Sequence, residues 1–162
     1  MILLGMGSNL PSAAGAPRAT LEAALAALEQ SGLRIVKRSR WYRSAPVPAS
    51  DQPDFVNGVV AVETALEPAE LLALLHRIEA RFGRARREVN AARSLDLDLL
   101  AYDDRIVEES GLVLPHPRLH LRAFVLLPLA EVAPDWVHPR LGQSVSDLIA
   151  ALPPGQRAAP LA

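Results

Sequence analysis

The chain contains no cysteine, which removes disulfide frameworks, thiol nucleophiles and cysteine zinc sites in one step. Lysine is nearly missing as well. Lys37 is the only one, and no glycine-rich loop ends in the lysine that a P-loop requires. Nor is there an excess of positive charge: 17 Lys and Arg stand against 18 Asp and Glu, a formal net charge of -1. A chain so balanced lacks the broad basic field of a duplex-binding protein, and nucleic acid is not an expected partner. Long apolar runs are absent too. The most apolar later stretch, 123–130, is short and holds Pro128, far from the roughly 20 apolar residues of a membrane span. The first residues, Met1 to Met6, show neither a basic leader nor a cleavage-site pattern. A soluble, cytoplasmic protein without membrane contact is the expectation.

What is present is enough for one core. The 162 residues, half of them hydrophobic, fit a single domain spanning 1–162. The Ala/Pro-rich stretch from about 153 to 162 reads as a frayed tail. Ile2 to Met6 reads as a buried strand closed by Gly7-Ser8-Asn9. Leu21, Leu25 and Leu28 recur at helical spacing between Pro17 and Gly32. Arg34 to Tyr42 reads as a strand, Pro46, Pro48 and Pro53 stiffen a loop, and the β-branched run from Phe55 to Thr64 reads as another strand. Pro68 opens an amphipathic helix with Leu71, Leu74, Leu75, Ile78 and Phe82 on one face. Ser94 to Leu99 alternates strictly at the strand period. An extended region from Ile106 to Pro115 and helices over about 119–132 and 144–152 complete the pass. The order β-α-β-β-α-β with a C-terminal helical extension predicts an α+β fold of the ferredoxin-like, split βαβ kind. Such a fold is an antiparallel sheet with helices on one face and the other face free for a ligand.

Asp96 and Asp98 are the sharpest chemical signal. Residues i and i+2 of a strand share a face, with Cα atoms about 6.6 Å apart, so the pair suits one or two hard cations such as Mg²⁺ bridging phosphate oxygens. The alternative is an ordinary solvated strand face. Just upstream, Arg77, Arg81, Arg84, Arg86, Arg87 and Arg93 are opposed only by Glu79 and Glu88. Arg77 and Arg81 suit a helix C-terminus, whereas Arg84, Arg86 and Arg93 suit phosphate oxygens. His116 reads as a hydrogen-bond donor to phosphate or ribose, with a surface histidine as the alternative. Zinc between His116 and His120 lacks an adjoining glutamate and any cysteine, and His76 and His138 read as structural or surface residues. Arg122 and Phe124 would diverge on a helix but share a pocket in an irregular turn. Phe55 and Asn57 offer a stacking ring and an amide edge for a flat heteroaromatic ligand, or a core ring and a turn residue.

Together these segments resemble one family, the 6-hydroxymethyl-7,8-dihydropterin pyrophosphokinases. The matching pieces are Gly7-Ser8-Asn9-Leu10, Tyr42-Arg43-Ser44, Asp51-Gln52-Pro53-Asp54-Phe55-Val56-Asn57, Arg77-Ile78-Glu79, Gly83-Arg84-Ala85-Arg86, Arg93-Ser94-Leu95-Asp96-Leu97-Asp98, Pro115-His116 and Arg122-Ala123-Phe124. Asn90-Ala91-Ala92 stands where many members have Trp-Gly-Pro, and Phe55 where a tyrosine is common. The resemblance implies transfer of pyrophosphate from ATP to the hydroxymethyl group of the pterin, giving AMP, in folate biosynthesis. It further implies that Asp96 and Asp98 ligate two Mg²⁺ ions and that Arg84, Arg86, Arg93, His116 and Arg122 contact ATP, with Arg84 and Arg93 catalytic beside the two acids. His76 and Glu79 would lie near the adenosine. Ser44, Ala45, Val47, Phe55, Asn57 and Phe124 would bind the pterin, the two rings sandwiching it. The implied partners are these small molecules, and the implied state is a monomer. Two other readings fit the residues alone: another Mg²⁺-dependent nucleotide enzyme on the same scaffold, or a binding module without catalysis.

Overall fold

The computed structural model describes residues 1–46, 48–83 and 94–161. Strand β1 (Ile2–Ser8) is buried along its whole length, because it lies between two other strands and is covered on both faces. Helix α1 (Pro17–Gln30) follows, with Leu21, Leu25 and Leu28 inward. The expected strand over 34–42 is instead two, β2 (Arg34–Arg38) and β3 (Tyr42–Ser44), aligned end to end along strand β4 (Phe55–Glu63). The break has a local cause: Ser39 Oγ accepts the Val59 N–H at 3.0 Å. Trp41 also folds over Gly58, where an added Cβ would lie 2.5 Å from the indole ring.

Helix α2 (Pro68–Arg81) opens on a capping box between Glu67 and Glu70 and buries Leu71, Leu74, Leu75 and Ile78. Strand β5 (Asp96–Tyr102) then takes the outer place beside β1. A hairpin of β6 (Val107–Glu109) and β7 (Leu112–Leu114) stands apart from the main sheet. The expected helix over 119–132 is divided into a 3₁₀ turn (Leu119–Leu121) and α3 (Ala123–Val132), with Arg122 extended at φ -119°, ψ 113° between them. Helix α4 (Val145–Ala150) is capped by Ser144 Oγ, which accepts the Asp147 N–H.

The stretch from 153 to 162 departs from the frayed tail expected of it. Strand β8 (Ala158–Pro160) pairs antiparallel with β3, Tyr42 opposite Pro160 and Ser44 opposite Ala158. An exposed strand edge presents unpaired backbone groups, and the tail satisfies them. Proline is tolerated there because the new outer strand does not need its N–H. The main sheet therefore runs β5-β1-β4-β3-β8, with β2 also on β4, and its β1–β4, β1–β5, β2–β4, β3–β4 and β3–β8 pairs are antiparallel.

Helices on one face only, with the other left open, is likewise corrected. Alternate side chains of the strands build two cores. Ile2, Leu4, Met6, Val60, Val62, Leu97 and Leu99 pack with α1 and α2. Leu3, Val59, Ala61, Leu100 and Ala101 pack with α3 and α4. The reason lies in α3: its sequence AFVLLPLAEV is apolar almost all round and needs a second apolar surface. Glu131, its one acid, anchors the helix to the sheet by accepting from the Tyr42 hydroxyl, from the Arg40 backbone N–H at 2.9 Å and from the Arg40 guanidinium at 3.0 Å. The C-terminal helices are thus a second layer on that face. No helix among the described residues is long and apolar enough to cross a membrane.

Candidate active site

The second face changes composition along β1 and β4. Leu3, Val59 and Ala61 pack under α3 and α4, but further along the same face stand Gly5, Gly7, Phe55 and Asn57. Gly7 is opposite Asp96 on one side and Asn57 on the other, and Asn57 is opposite Tyr42. One row across the sheet thus reads Asp96, Gly7, Asn57, Tyr42. With strands roughly 4.8 Å apart, Asp96 and Asn57 are separated by about 10 Å, the scale of a small molecule. Gly7 keeps the floor of this row bare: a Cβ there would lie 2.8 Å from Asn57 Nδ2.

Asp96 and Asp98 stand on this face, partly exposed, while Leu95, Leu97 and Leu99 are buried in the opposite core. Burial, then the charge of Asp96, push the Asp98 carboxyl well above its usual range, and Arg122 pulls against them. Two carboxylates that repel each other in this way form a donor set for hard divalent cations. Among the described residues no cluster of three His, Asp or Glu side chains could hold a metal. The two acids are what the chain offers, and phosphate oxygens and water suit the remaining positions.

His116 is fixed by two contacts. Its N–H donates to the Leu100 carbonyl at 2.8 Å, and its Nδ1 accepts the Arg118 N–H at 3.2 Å. The proton is thereby left on Nε2, and burial, with the positive charge of Arg122, lowers the imidazole to about 4. His116 is therefore a neutral donor at pH 7. His120 turns elsewhere and packs edge-on against His138, ring centroids 6.0 Å apart, so the pair does not converge as zinc ligands. His138 is buried, and its Nδ1 accepts the N–H groups of Arg140 and Leu141.

Arg122 and Phe124 lie side by side at the start of α3. Because Arg122 is extended where α3 begins, its guanidinium carbon reaches 5.3 Å from the centre of the Phe124 ring. On the far side, Ser44 Oγ donates to Asn57 Oδ1 at 2.6 Å, which orients the amide. Ala45 follows Ser44, and its N–H donates to the Arg157 carbonyl. Val47, Arg84, Arg86 and Arg93 lie outside the described residues.

Glu79 is 1% exposed and its Oε2 accepts the Leu97 N–H at 2.8 Å, so it holds the strand between the two acids. The sequence carries a signal for this, an acid on the apolar stripe of Leu71, Leu75 and Ile78. His76, one turn earlier, is half-buried. Two further residues escape sequence reasoning. Gly7 is one; the other is Asn9, 2% exposed, whose Nδ2 donates to Gln52 Oε1 at 3.0 Å and to the Pro53 carbonyl at 3.1 Å. Asn9 thereby ties the turn after β1 to the loop that carries Phe55.

Carboxylates, a guanidinium with a ring against it and a neutral imidazole on one side, and an oriented amide two strands away, are the residue types of a class: sites that hold a polyphosphate beside a flat heterocycle. Comparison with known proteins makes this specific. The family described as 7,8-dihydro-6-hydroxymethylpterin-pyrophosphokinase (HPPK) matches residues 3–134. The 2-amino-4-hydroxy-6-hydroxymethyldihydropteridine pyrophosphokinase of Synechocystis sp. is 45% identical over 148 residues, covering 91% of this chain and 73% of that protein. Its namesake in Haemophilus influenzae is 42% identical over 147 residues, 90% of this chain and 89% of that protein. The crystal structure of wild-type Plasmodium falciparum HPPK-DHPS superposes with a TM-score of 0.72 at 16% identity, over 92% of this chain and 44% of that one. The chain belongs to the HPPK family.

Proposed function

We propose that the chain transfers the pyrophosphoryl group of ATP to the hydroxymethyl oxygen of 6-hydroxymethyl-7,8-dihydropterin, releasing AMP and the pterin diphosphate, in folate biosynthesis. The observation that carries this reading is the row Asp96, Gly7, Asn57, which sets a cation-binding pair about 10 Å from an amide and ring that suit a pterin. The scaffold reads as ferredoxin-like: β1, α1, the β2–β3 pair, β4, α2 and β5 form the split βαβ repeat, to which α3, α4 and β8 add a second layer.

Asp96 and Asp98 would hold two Mg²⁺ ions, which when bound would supply charge neutralisation on the phosphates and acidify the attacking hydroxyl. Arg122 and the Nε2–H of His116 bind phosphate or ribose oxygens, with Arg84, Arg86 and Arg93 completing the cationic side. His76 lies towards the adenosine, and Glu79 positions the acid strand. Phe55 and Phe124 stack on the pterin, while Asn57, Ser44, Ala45 and Val47 read its edge. Ser44 contributes indirectly as well: by donating to Asn57 Oδ1 it leaves Nδ2 free to point at a ring acceptor. This chemistry asks for no protein nucleophile. Orientation and preorganised charge carry it. The enzyme works as a cytoplasmic monomer.

The test is a nucleotide product assay with Mg²⁺, ATP and the reduced pterin. Pterin-dependent AMP is the expected product. ADP would replace this reading with a γ-phosphate kinase, and pterin-independent turnover would remove the acceptor assignment.

A further inference from the structure

The stretch from 153 onward, which sequence composition reads as a frayed tail, is tied both to the start of α3 and to β3. Helix α3 begins without a side-chain cap of its own, so its first N–H groups have no acceptor within the helix. Gln156 supplies one. Its Oε1 accepts the Ala123 N–H at 2.8 Å, and its Nε2 donates to the Leu121 carbonyl at 2.7 Å. A single amide thus brackets Arg122 from both sides and holds its backbone in the extended conformation that sets its guanidinium against the Phe124 ring. The next residues cross to the opposite flank. The Arg157 carbonyl accepts from Ala45 N–H, β8 pairs with Tyr42 to Ser44, and Leu161 N–H donates to the Trp41 carbonyl at 2.9 Å.

We infer that Gln156 is a positioning residue for the substrate pocket, and that the segment from Gln156 to Leu161 sets the spacing between the Arg122–Phe124 turn and the Ser44–Ala45 strand. The inference rests on the proposed function, in which those residues contact phosphate and pterin. Nothing in the 156–161 segment need touch a substrate. Its effect is on where the contacting groups stand, and an amide is suited to it because one neighbour is a donor and the other an acceptor.

The experiment compares wild type with Gln156→Ala, Gln156→Glu and, as a control for general destabilisation, Leu148→Ala in the core beneath α4. Melting temperature, kcat and KM for each substrate are read for all four. Gln156→Ala is expected to raise the pterin KM about tenfold with a smaller change in melting temperature than Leu148→Ala, whose KM values stay near wild type. Gln156→Glu keeps the acceptor for Ala123 but opposes the Leu121 carbonyl with a second acceptor, so its KM should fall between wild type and Gln156→Ala. If Gln156→Ala shifts KM no more than Leu148→Ala does, the positioning role is overturned while the function stands. If wild type itself forms no pterin-dependent AMP, the function fails and the positioning role falls with it.

Discussion

The two faces of the central sheet are made by the same strands, one residue out of step, and they are put to different uses. The first face, from Ile2, Leu4 and Met6 across to Val60, Val62, Leu97 and Leu99, is apolar end to end and closed by α1 and α2. The second begins in the same way, with Leu3, Val59 and Ala61 under α3. It then changes to Gly5, Gly7, Asn57, Asp96 and Asp98. Packing has been exchanged for chemistry within two residues of strand. The continuous face can bear that exchange, because the strands are already held flat by burial on the other side.

Adjacent residues of β5 test this division most directly. Replacing Asp96 or Asp98 by Ala should lower kcat by about 10³-fold or more, equivalent to roughly 4 kcal/mol of transition-state stabilisation. The melting temperature should not fall, since removing one acid relieves the repulsion that raises the Asp98 carboxyl. Steady-state rates and a thermal melt on the same preparation check both halves. Leu97, between them and 1% exposed, should behave in the opposite way. Leu97→Ala is expected to cost about 2–5 kcal/mol of stability in a denaturant titration, with kcat retained wherever the protein is folded. An Asp96→Ala enzyme with near-normal turnover, or a Leu97→Ala protein of normal stability, would break the comparison.

The first face was almost fully legible in the sequence, and the second only in part. Leucines alternating with aspartates, and leucines at helical spacing in α1 and α2, carry their burial in their own periodicity. The second layer does not: α3 is apolar on all sides, so its pattern names no partner. Two further misses have the same origin. Ala158-Ala159-Pro160 has little intrinsic preference for a strand, and it becomes one only because β3 offers an edge over a hundred positions away. Gly7 and Asn9 read as turn residues, since their tasks depend on Asn57, Gln52 and Pro53 across the sheet. For the site, residue types and motif spacing pointed to the acids and His116, whereas Phe55 and Asn57 read also as a core ring and a turn residue until the family resemblance singled them out. The neutral state of His116 depends on contacts that no spacing encodes, whereas the inward position of Glu79 is marked by its place on the apolar stripe of α2.

Acid titration separates the two kinds of titratable group at the site. The imidazole of His116 is lowered to about 4, so from roughly pH 6.5 downward the unfolded chain takes up a proton that the folded chain refuses. Stability is fully present above pH 6.5 and is lost as the pH falls towards 4, by up to about 3 kcal/mol for a shift of this size. Asp98, raised instead, acts with the opposite sign: the folded protein takes up its proton first, so its contribution to stability grows as the pH falls. His116→Gln should remove the first slope and leave the second. Unfolding free energies measured in metal-free buffer from pH 7 to 4 should therefore fall for wild type relative to the variant as the pH drops. Parallel curves would mean that His116 is not held neutral.

The smallest expected effect is also the most local. Gly7 is the one residue opposite both an acid and the amide, Asp96 on one side and Asn57 on the other. Adding a methyl group puts carbon 2.8 Å from Asn57 Nδ2, so either the amide moves or the strand does. The strand is held by two neighbours and a closed core, whereas Asn57 is held on this face by one hydroxyl, Ser44 Oγ. The amide should yield. Gly7→Ala is then expected to raise the pterin KM by about tenfold, the cost of roughly one misplaced hydrogen bond, with the ATP KM unchanged. Ser44→Ala should have a similar but weaker effect, because it frees the amide without pushing it. If Gly7→Ala instead lowers kcat as severely as loss of an acid, the displacement has passed to Asp96, and the bare floor belongs to the phosphate end of the row and not to its pterin end.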